Sequence, residues 1–562
     1  MKQELTGTQA LLKRLTEHGT EIIFGIPGGN NLPIYDALMT SNIRHILAKH
    51  EQGAGFMAQG MSRTTGKPAV CMATSGPGAT NLITAVSDAW SDSVPMIAIT
   101  GQVPQHLMNT DAFQEVDVIS MVHKITKRAY YITSADEIQS TIDDAFHVAS
   151  SGRPGPVLID IPKDVQLEKC IWNDIPVPFK NSGCEYSTND IRSIRDMLQE
   201  SESPIIISGH GSVLSGADDE IKSIAQKQQI PVVTTLHGIG ILPHNHPYNM
   251  GMAGMHGFKL ANALLAKSDL ILALGIRFDD RLTGNIHEFC PNAKVIHIDI
   301  NARELNRLKN AHLAIKADIK ELLQELMPFI KEQQRTDWTD RINALREKYN
   351  GMRIMEEVDP GMFIRMISQI AENDAIITTD VGQHQMWVAQ SYQFEHPGKL
   401  LTSGGQGTMG FGLPAAIGAA IANPDKQVIC FTGDGSLLMN IQELATLAEL
   451  QLNIKIIVLN NSALGMVRQQ QQLFYDRNYS ASCYHKQFDF GAIAKAFQID
   501  SINFEMKHDN ISLIHKWLTK KGPALIDVRV EENEVVTPII KPGKSVDTVL
   551  DCEKEVAVSM YQ

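Results

Sequence analysis

The sequence predicts an α/β protein of three consecutive doubly wound domains with parallel sheets. Short apolar runs alternate with segments of helical periodicity along most of the chain, and the turns that follow many of those runs are rich in Gly and Pro. At 562 residues the chain has room for three or four domains of ordinary size.

In the first block, Glu21–Phe24, Ile43–Ala48, Ala69–Ala73, Val94–Thr100 and Val157–Ile161 read as strands. Two of its turns, Gly25-Ile26-Pro27-Gly28-Gly29 and Thr74-Ser75-Gly76-Pro77-Gly78-Ala79-Thr80-Asn81, let the backbone approach a ligand at the carboxyl edge of the sheet. The polar stretch Glu168–Thr188 reads as a linker. A second block carries strands near Pro204–Ser208, Pro231–Thr235, Leu270–Leu274 and Lys294–Ile298, and runs out in a charged helical segment, Lys331–Glu357. A third opens with Ala375–Thr379 and closes near Asp527–Val530; Pro538, Pro542 and Gly543 then mark an extended tail. The expected boundaries are 1–167, 190–330, 358–535 and a tail at 536–562. No fixed-period repeat is visible, although the first and third blocks can share a fold without sharing sequence.

Composition excludes several classes. With 43% hydrophobic and 20% charged residues, disordered, collagen-like and coiled-coil chains are ruled out. A formal charge of −13 has the wrong sign for neutralising nucleic acid phosphates. Seven cysteines without a Cys-x-x-Cys pair suggest neither a disulfide framework nor a zinc site, and fit a reducing cytoplasm. The start of the chain lacks the pattern of a signal peptide, and no apolar run approaches the roughly 18 residues that span a bilayer. A soluble cytoplasmic protein without a nucleic acid or membrane partner is expected.

The most informative stretch is Val428–Ser436, a buried strand ending in the turn Gly433-Asp434-Gly435. Leu438, Ile441, Leu444, Ala445 and Ala448 then recur at helical spacing, and Ile454–Leu459 forms a second strand ending in Asn460-Asn461. A right-handed crossover puts both strand ends on one sheet edge, where Asp434 and Asn461 can face one ion. A carboxylate, an amide carbonyl and a main-chain carbonyl are hard ligands suited to Mg²⁺, with a diphosphate completing the shell.

Gly-Asp-Gly followed by Asn-Asn is the thiamine diphosphate motif. His50-Glu51-Gln52-Gly53-Ala54, Thr110-Asp111-Ala112-Phe113-Gln114-Glu115, Gly152-Arg153-Pro154-Gly155-Pro156, Arg277-Phe278-Asp279-Asp280-Arg281 and Thr402-Ser403-Gly404-Gly405-Gln406-Gly407-Thr408-Met409-Gly410 accompany it. On these stretches the sequence resembles, over nearly its whole length, the large catalytic subunit family of acetolactate synthase, also called acetohydroxyacid synthase. The resemblance implies pyrimidine-binding, FAD-binding and diphosphate-binding domains in that order. It implies decarboxylation of pyruvate and transfer of the two-carbon unit to a second 2-oxo acid, giving 2-acetolactate from pyruvate or 2-aceto-2-hydroxybutyrate from 2-oxobutyrate.

The resemblance also assigns residues. Glu51 falls at the catalytic glutamate, where a carboxyl hydrogen-bonds a pyrimidine nitrogen; Phe56 and Met57 would raise its pKa if they face it. Without the resemblance Glu51 is a carboxylate favoured by a helix start. Gly382, Gln383, His384, Gly407, Gly435, Ser436 and the turn Ala463-Leu464-Gly465 fall to the diphosphate, with Ala463 joining Asp434 and Asn461 around the metal. Met409 buttresses the cofactor and Met466 lies beside its pyrimidine. Gln114 and Lys163 line the approach to the site, where an amide and an ammonium can hold oxyanions. Gln470 replaces a Trp common in the family and associated with 2-oxobutyrate preference, a loss of about 1–3 kcal/mol of discrimination, so pyruvate is expected to compete as acceptor.

In the central block the Gly-x-Gly-x-x-Gly fingerprint fails at Leu214, which disfavours a standard NAD site. The resemblance implies FAD there, contacted by Arg153, Arg277, Asp299 and Asp318. It further implies a homodimer or larger assembly in which the Glu51 domain of one subunit faces the Asp434 domain of another, together with a small regulatory subunit. Open alternatives are a pyruvate oxidase or a non-oxidative 2-oxo acid decarboxylase on the same scaffold, a nicotinamide dehydrogenase, and an inert binding or regulatory protein that keeps the fold.

Overall fold

The computed structural model describes residues 3–172, 185–349, 359–506, 511–545 and 548–550. In the first unit the strands are β1 (Gln3–Thr6), β2 (Ile22–Gly25), β3 (Arg44–Leu47), β4 (Ala69–Ala73), β5 (Met96–Gln102), β6 (Arg128–Tyr131), β7 (Pro156–Pro162) and β8 (Lys169–Trp172). β2 to β7 form a parallel sheet in the order β3-β2-β4-β5-β7-β6. Its central strands β4, β5 and β7 are buried at every position, which is why they read as unbroken apolar runs. β1 and β8 pair antiparallel beside it, so the stretch expected to be a linker begins as a strand. The rest of that stretch, 173–184, lies outside the described residues.

The middle unit contains β9 (Pro204–Ser208), β10 (Val232–Thr234), β11 (Asn249–Met252), β12 (Leu270–Leu274), β13 (Lys294–Asp299) and β14 (Leu313–Lys316), in the parallel order β11-β10-β9-β12-β13-β14. Counted within the unit this is 3-2-1-4-5-6, the order of dinucleotide-binding sheets, with its switch point between β9 and β12. The charged helical segment appears as a helix over Thr336–Tyr349, anchored by wholly buried Trp338, whose Nε1 donates to the Pro204 carbonyl at 3.1 Å. Residues 350–358 lie outside the described residues.

The third unit holds β15 (Ile376–Thr379), β16 (Leu400–Leu401), β17 (Val428–Gly433), β18 (Ile454–Asn460), β19 (Asp500–Glu505) and β20 (Ala524–Arg529), ordered β16-β15-β17-β18-β20-β19 and again parallel. Its internal order is 2-1-3-4-6-5, the same as in the first sheet. The two share a fold, as the sequence allowed.

These outer units also share a core. The helix Glu51–Thr65 starts at an extended His50, whose ring accepts the Gln52 N–H, and stops at left-handed Gly66. It packs on the helix Gly412–Ala422, whose small residues permit close approach. A Cβ on Gly60 would collide with the Ala415 carbonyl oxygen, and one on Gly418 with the Met57 carbonyl oxygen. Met57, Leu82, Leu413, Ile417, Leu444 and Val458 belong to one apolar cluster spanning both units.

The tail is not merely extended. β21 (Ile539–Ile540) pairs antiparallel with β22 (Val549–Leu550), and both isoleucines are buried in the middle unit's core, where the Ile540 N–H donates to the Met255 carbonyl at 3.0 Å. Burial of this apolar pair outweighs the local Pro and Gly signal. Residues 546–547 and 551–562 lie outside the described residues. Among the described residues, Cys71, Cys170 and Cys430 are buried free thiols, and Cys483 is a half-buried one. Among the described residues no helix is long and apolar enough to cross a membrane.

Candidate active site

In the third sheet the strand order reverses between β15 and β17, and polar residues collect at the carboxyl ends there. Gly382, Gln383 and His384 follow β15 at the start of the helix Gln383–Ser391. Asp434 follows β17 as the first residue of a four-residue helix, Asp434–Leu437. β17 and β18 are neighbours with Gly433 opposite Leu459, so Asn461 emerges beside Asp434. Asp434 accepts the N–H of Gly435 at 2.9 Å and of Ala463 at 3.1 Å, which brings the Ala463 backbone to the same point. Burial pushes the Asp434 carboxyl up to about 7 against those backbone donors. Asn461 Nδ2 donates to Gln383 Oε1 at 2.9 Å, leaving the amide oxygen available.

The single helix expected after this turn is broken. Residues 438–442 form turns before a second helix, Glu443–Leu450, and within them the Asn440 amide donates to the Gly410 carbonyl and to Gln52 Oε1. Met409, immediately before Gly410, is half-buried in the loop 402–410. Asp380 fixes that loop by accepting the Gly410 N–H at 2.7 Å, and Asp88 of the first unit accepts from Ser403 and Thr408 hydroxyls. Ser436 donates to the Val381 carbonyl at 2.7 Å. Leu464, Gly465 and Met466 open the helix Gly465–Phe474, which carries Gln470 on its cavity side.

His384, a surface histidine by sequence pattern alone, is buried and lines the cavity; its Nε2 has no protein partner, and burial pushes the ring down to about 3. An anion beside it would offset that burial and favour the ring form in which both nitrogens donate.

At the switch point of the middle sheet, Gly209 and Gly211 lie directly on Gly275, and a Cβ on Gly211 would stand 2.7 Å from the Gly275 Cα. The ends of β9 and β12 are thereby left open to a ligand. Asp299 ends β13, its carboxyl pushed up to about 6 by burial. Asp318 caps the helix Ile319–Leu326 through the Glu321 N–H and accepts the Ser215 hydroxyl at 2.8 Å. Arg153 and Arg277 both donate to the Ser91 carbonyl, at 3.2 and 3.0 Å. His256 Nδ1 is buried without a partner, and burial pushes that ring down to about 4.

Every residue assigned above to the diphosphate, the metal, the flavin or acceptor choice lines one continuous cavity of about 1380 Å³. Single ligand pockets run to about 1,000 Å³, so this one has room for more than one cofactor.

Glu51, Gln114 and Lys163 do not line it. They gather instead at the carboxyl edge of the first sheet. Glu51 is the first residue of its helix; Oε2 accepts Asn81 Nδ2 at 2.9 Å, and Oε1 faces Gly78. Gln114, in left-handed backbone at φ 63°, packs on Gly76 of the same turn, and Lys163 directly follows β7. Phe56 and Met57 do not surround Glu51 as expected. At about 100° per residue they lie roughly 140° and 120° away around the helix. Phe56 stacks edge-on against Phe411 at 5.3 Å, and Met57 joins the core shared with the third unit.

Three family models match the chain in order: thiamine pyrophosphate enzyme, N-terminal TPP binding domain over residues 5–121, central domain over 191–326, and C-terminal TPP binding domain over 380–528. Acetolactate synthase isozyme 1 large subunit of Escherichia coli K12 is 47% identical over 96% of this chain and 97% of its own length. Isozyme 2 large subunit of the same organism is 41% identical over 97% and 100%, and the acetolactate synthase large subunit of Cyanidium caldarium 44% over 98% and 97%. The chain belongs to the acetolactate synthase large-subunit family. It is thus a thiamine diphosphate enzyme, and the cavity at the third sheet lies within the matched C-terminal TPP binding domain.

Sequence reasoning missed several buried polar residues of this acetolactate synthase family member. Asn440, Glu443 and Asp380 carry no local motif. Asp527 has one: Gly522-Pro523-Ala524-Leu525-Ile526-Asp527-Val528 repeats Gly155-Pro156-Val157-Leu158-Ile159-Asp160-Ile161.

Proposed function

We propose that the protein decarboxylates pyruvate and joins the two-carbon unit to a second 2-oxo acid, giving 2-acetolactate or 2-aceto-2-hydroxybutyrate at the first common step of branched-chain amino acid biosynthesis. The observation that carries this reading is the convergence of Asp434, Asn461 and the Ala463 backbone, from adjacent parallel strands, on one wall of the cavity. Bound thiamine diphosphate supplies a nucleophilic ring carbon and a sink for the electron pair left when carbon dioxide departs.

The residues fit that cofactor and its ion. Asp434, the Asn461 amide oxygen and the Ala463 carbonyl form a hard oxygen set for Mg²⁺. His384, with Gly382, Gln383, Gly407, Gly435, Ser436, Leu464 and Gly465, would hold the diphosphate. Met409 and Met466 would support the rings.

Glu51 would hold or pass a proton at a pyrimidine nitrogen, while Gln114 and Lys163 would bind substrate oxygens. Since these three stand outside the chain's own cavity, a second copy is the natural source of them, and a homodimer or larger assembly follows. FAD fits the middle unit: the dinucleotide strand order, the open crevice at Gly209 and Gly275, the unpaired Nδ1 of His256, and the Arg153 and Arg277 guanidinia all suit a dinucleotide, with Asp299 and Asp318 as further contacts.

On this reading the chain divides at 1–167, 190–330 and 358–535 into pyrimidine-, FAD- and diphosphate-binding units, with a tail at 536–562. The relatives are named large subunits, which supports a small regulatory subunit as a further partner. The free thiols of Cys71, Cys170, Cys430 and Cys483 accord with a cytoplasmic setting. The test is incubation with thiamine diphosphate, Mg²⁺, FAD and pyruvate, alone or with 2-oxobutyrate. Acetohydroxy acids are expected; acetaldehyde, or acetyl phosphate with oxygen uptake, would overturn the assignment.

A further inference from the structure

The third unit grips the backbone just ahead of Glu51. Glu443 is wholly buried at the start of the helix Glu443–Leu450. Its Oε1 accepts the N–H groups of Lys49 at 2.9 Å and His50 at 3.1 Å, and its Oε2 accepts the Thr446 hydroxyl at 2.7 Å. Those N–H groups sit at the entrance of the 15-residue helix Glu51–Thr65, where a negative charge is favoured by the helix dipole. Gly53 lies flat against the same carboxylate: a Cβ there would stand 3.0 Å from Glu443 Cδ. Asn440 adds a second tie, donating to Gln52 Oε1 at 3.0 Å. The residues on either side of Glu51 are thus held from another unit of the chain, while Glu51 itself is held by Asn81.

We propose that Glu443 is a positioning residue for Glu51: it touches neither substrate nor cofactor, and sets the direction in which the Glu51 carboxyl leaves the helix start. This rests on the reading of Glu51 as the proton-handling carboxyl. Asp434, Asn440 and Glu443 follow one another along a single short run of backbone after β17. The run that offers a metal ligand to this chain's own cavity therefore also aims the carboxyl that stands outside it.

The experiment uses the full chain loaded with FAD, Mg²⁺ and saturating thiamine diphosphate, and reads hydrogen–deuterium exchange at the reactive ring carbon by quenched-flow NMR. Glu443→Ala should slow that exchange about 10–100-fold, the scale of a small misplacement of a catalytic group, with the half-saturating cofactor concentration unchanged. Glu443→Gln, whose amide oxygen still accepts both N–H groups, should restore most of the rate. In the cofactor-free protein, deuterium uptake over residues 47–54 should rise in Glu443→Ala. If Glu443→Ala does not fold, Glu443→Asp, which keeps the charge and withdraws it by one methylene, carries the same test. Ring-carbon exchange at the parent rate with the amides deprotected would overturn the proposal and leave Glu443 a structural tie. Glu51→Gln is measured alongside. Slow exchange there with normal exchange in the Glu443 variants overturns the positioning role alone; normal exchange in Glu51→Gln removes the reading of Glu51, and this proposal with it.

Discussion

In the first sheet the strand order reverses between β2 and β4, and in the third between β15 and β17; both crevices open at the carboxyl ends of strands wound 2-1-3-4-6-5. The first crevice holds Glu51, with the turn Gly76-Pro77-Gly78 beneath it. The third holds Asp434, Asn461 and His384 around a cavity. Even the supporting device is repeated. Asp160 on the sixth strand of the first sheet accepts Nε2 of Gln102, the last residue of the fourth strand, at 3.0 Å. Asp527 on the sixth strand of the third sheet accepts Nδ2 of Asn460, again the last residue of the fourth, at 3.0 Å. What differs is the residue that comes next: Asn461 enters the cavity, whereas Val103 leads into the loop that carries Gln114. One scaffold therefore fixes where a polar group leaves the sheet, and the following residues decide its chemistry.

The sharpest way to break this comparison is to exchange the two crevices' roles. Glu51→Gln should cut kcat by about 10²–10⁴, the usual contribution of proton transfer by a positioned side chain, with cofactor affinity nearly unchanged. Asp434→Ala should do the reverse, weakening Mg²⁺ and thiamine diphosphate binding by more than the roughly 10–100-fold that an outer-shell partner costs. Titrating both variants by tryptophan fluorescence and steady-state kinetics decides it; a binding defect in the Glu51 variant would erase the division of labour.

Gly60→Val tests the contact between the two units, and should cost about 1–3 kcal/mol through overpacking against Ala415, read from the denaturant midpoint. Gln470→Trp should raise the preference for 2-oxobutyrate over pyruvate by about 1–3 kcal/mol in a competition assay, without touching either carboxylate.

A separate effect, on stability and its pH dependence, concerns Asp160, whose carboxyl is pushed up to about 7 by burial, against hydrogen bonds from Thr100 and Gln102. A folded-state pKa above the unfolded value means that its contribution to stability is full below about pH 4 and is lost as pH rises to about 7. Over that window wild type should lose at most about 1.4 kcal/mol per pH unit relative to Asp160→Asn. Equal slopes in thermal melts would show that the carboxyl ionises freely.

Legibility in the sequence followed burial. Central strands such as β4, β12 and β17 are covered on both faces and stand out as apolar runs. Every strand of the three large sheets that the pattern missed, β6, β11, β14, β16 and β19, lies at a sheet edge. Several of these are short and half-solvated: Arg128-Ala129-Tyr130-Tyr131 contains no fully buried residue. The metal turn was legible because its spacing spans one crossover. The separation of Glu51 from the cavity was expected from the family resemblance alone and not from any local pattern, because it depends on how whole units dock. Asp160 and Asp527 were legible in principle, through the shared Gly-Pro-x-Leu-Ile-Asp stretch, but a single pair of matches has no period to reveal it.

The reciprocal glycine contact bears on how the chain comes into being. Met57 cannot meet Gly418 until the ribosome has made the 360 intervening positions, roughly 20–70 s at about 5–20 residues per second. For that interval the helix Glu51–Thr65 presents an unpaired greasy flank while the middle unit is synthesised. A nascent chain stalled near residue 400 should thus bind chaperones, and release them once Gly412–Ala422 clears the exit tunnel.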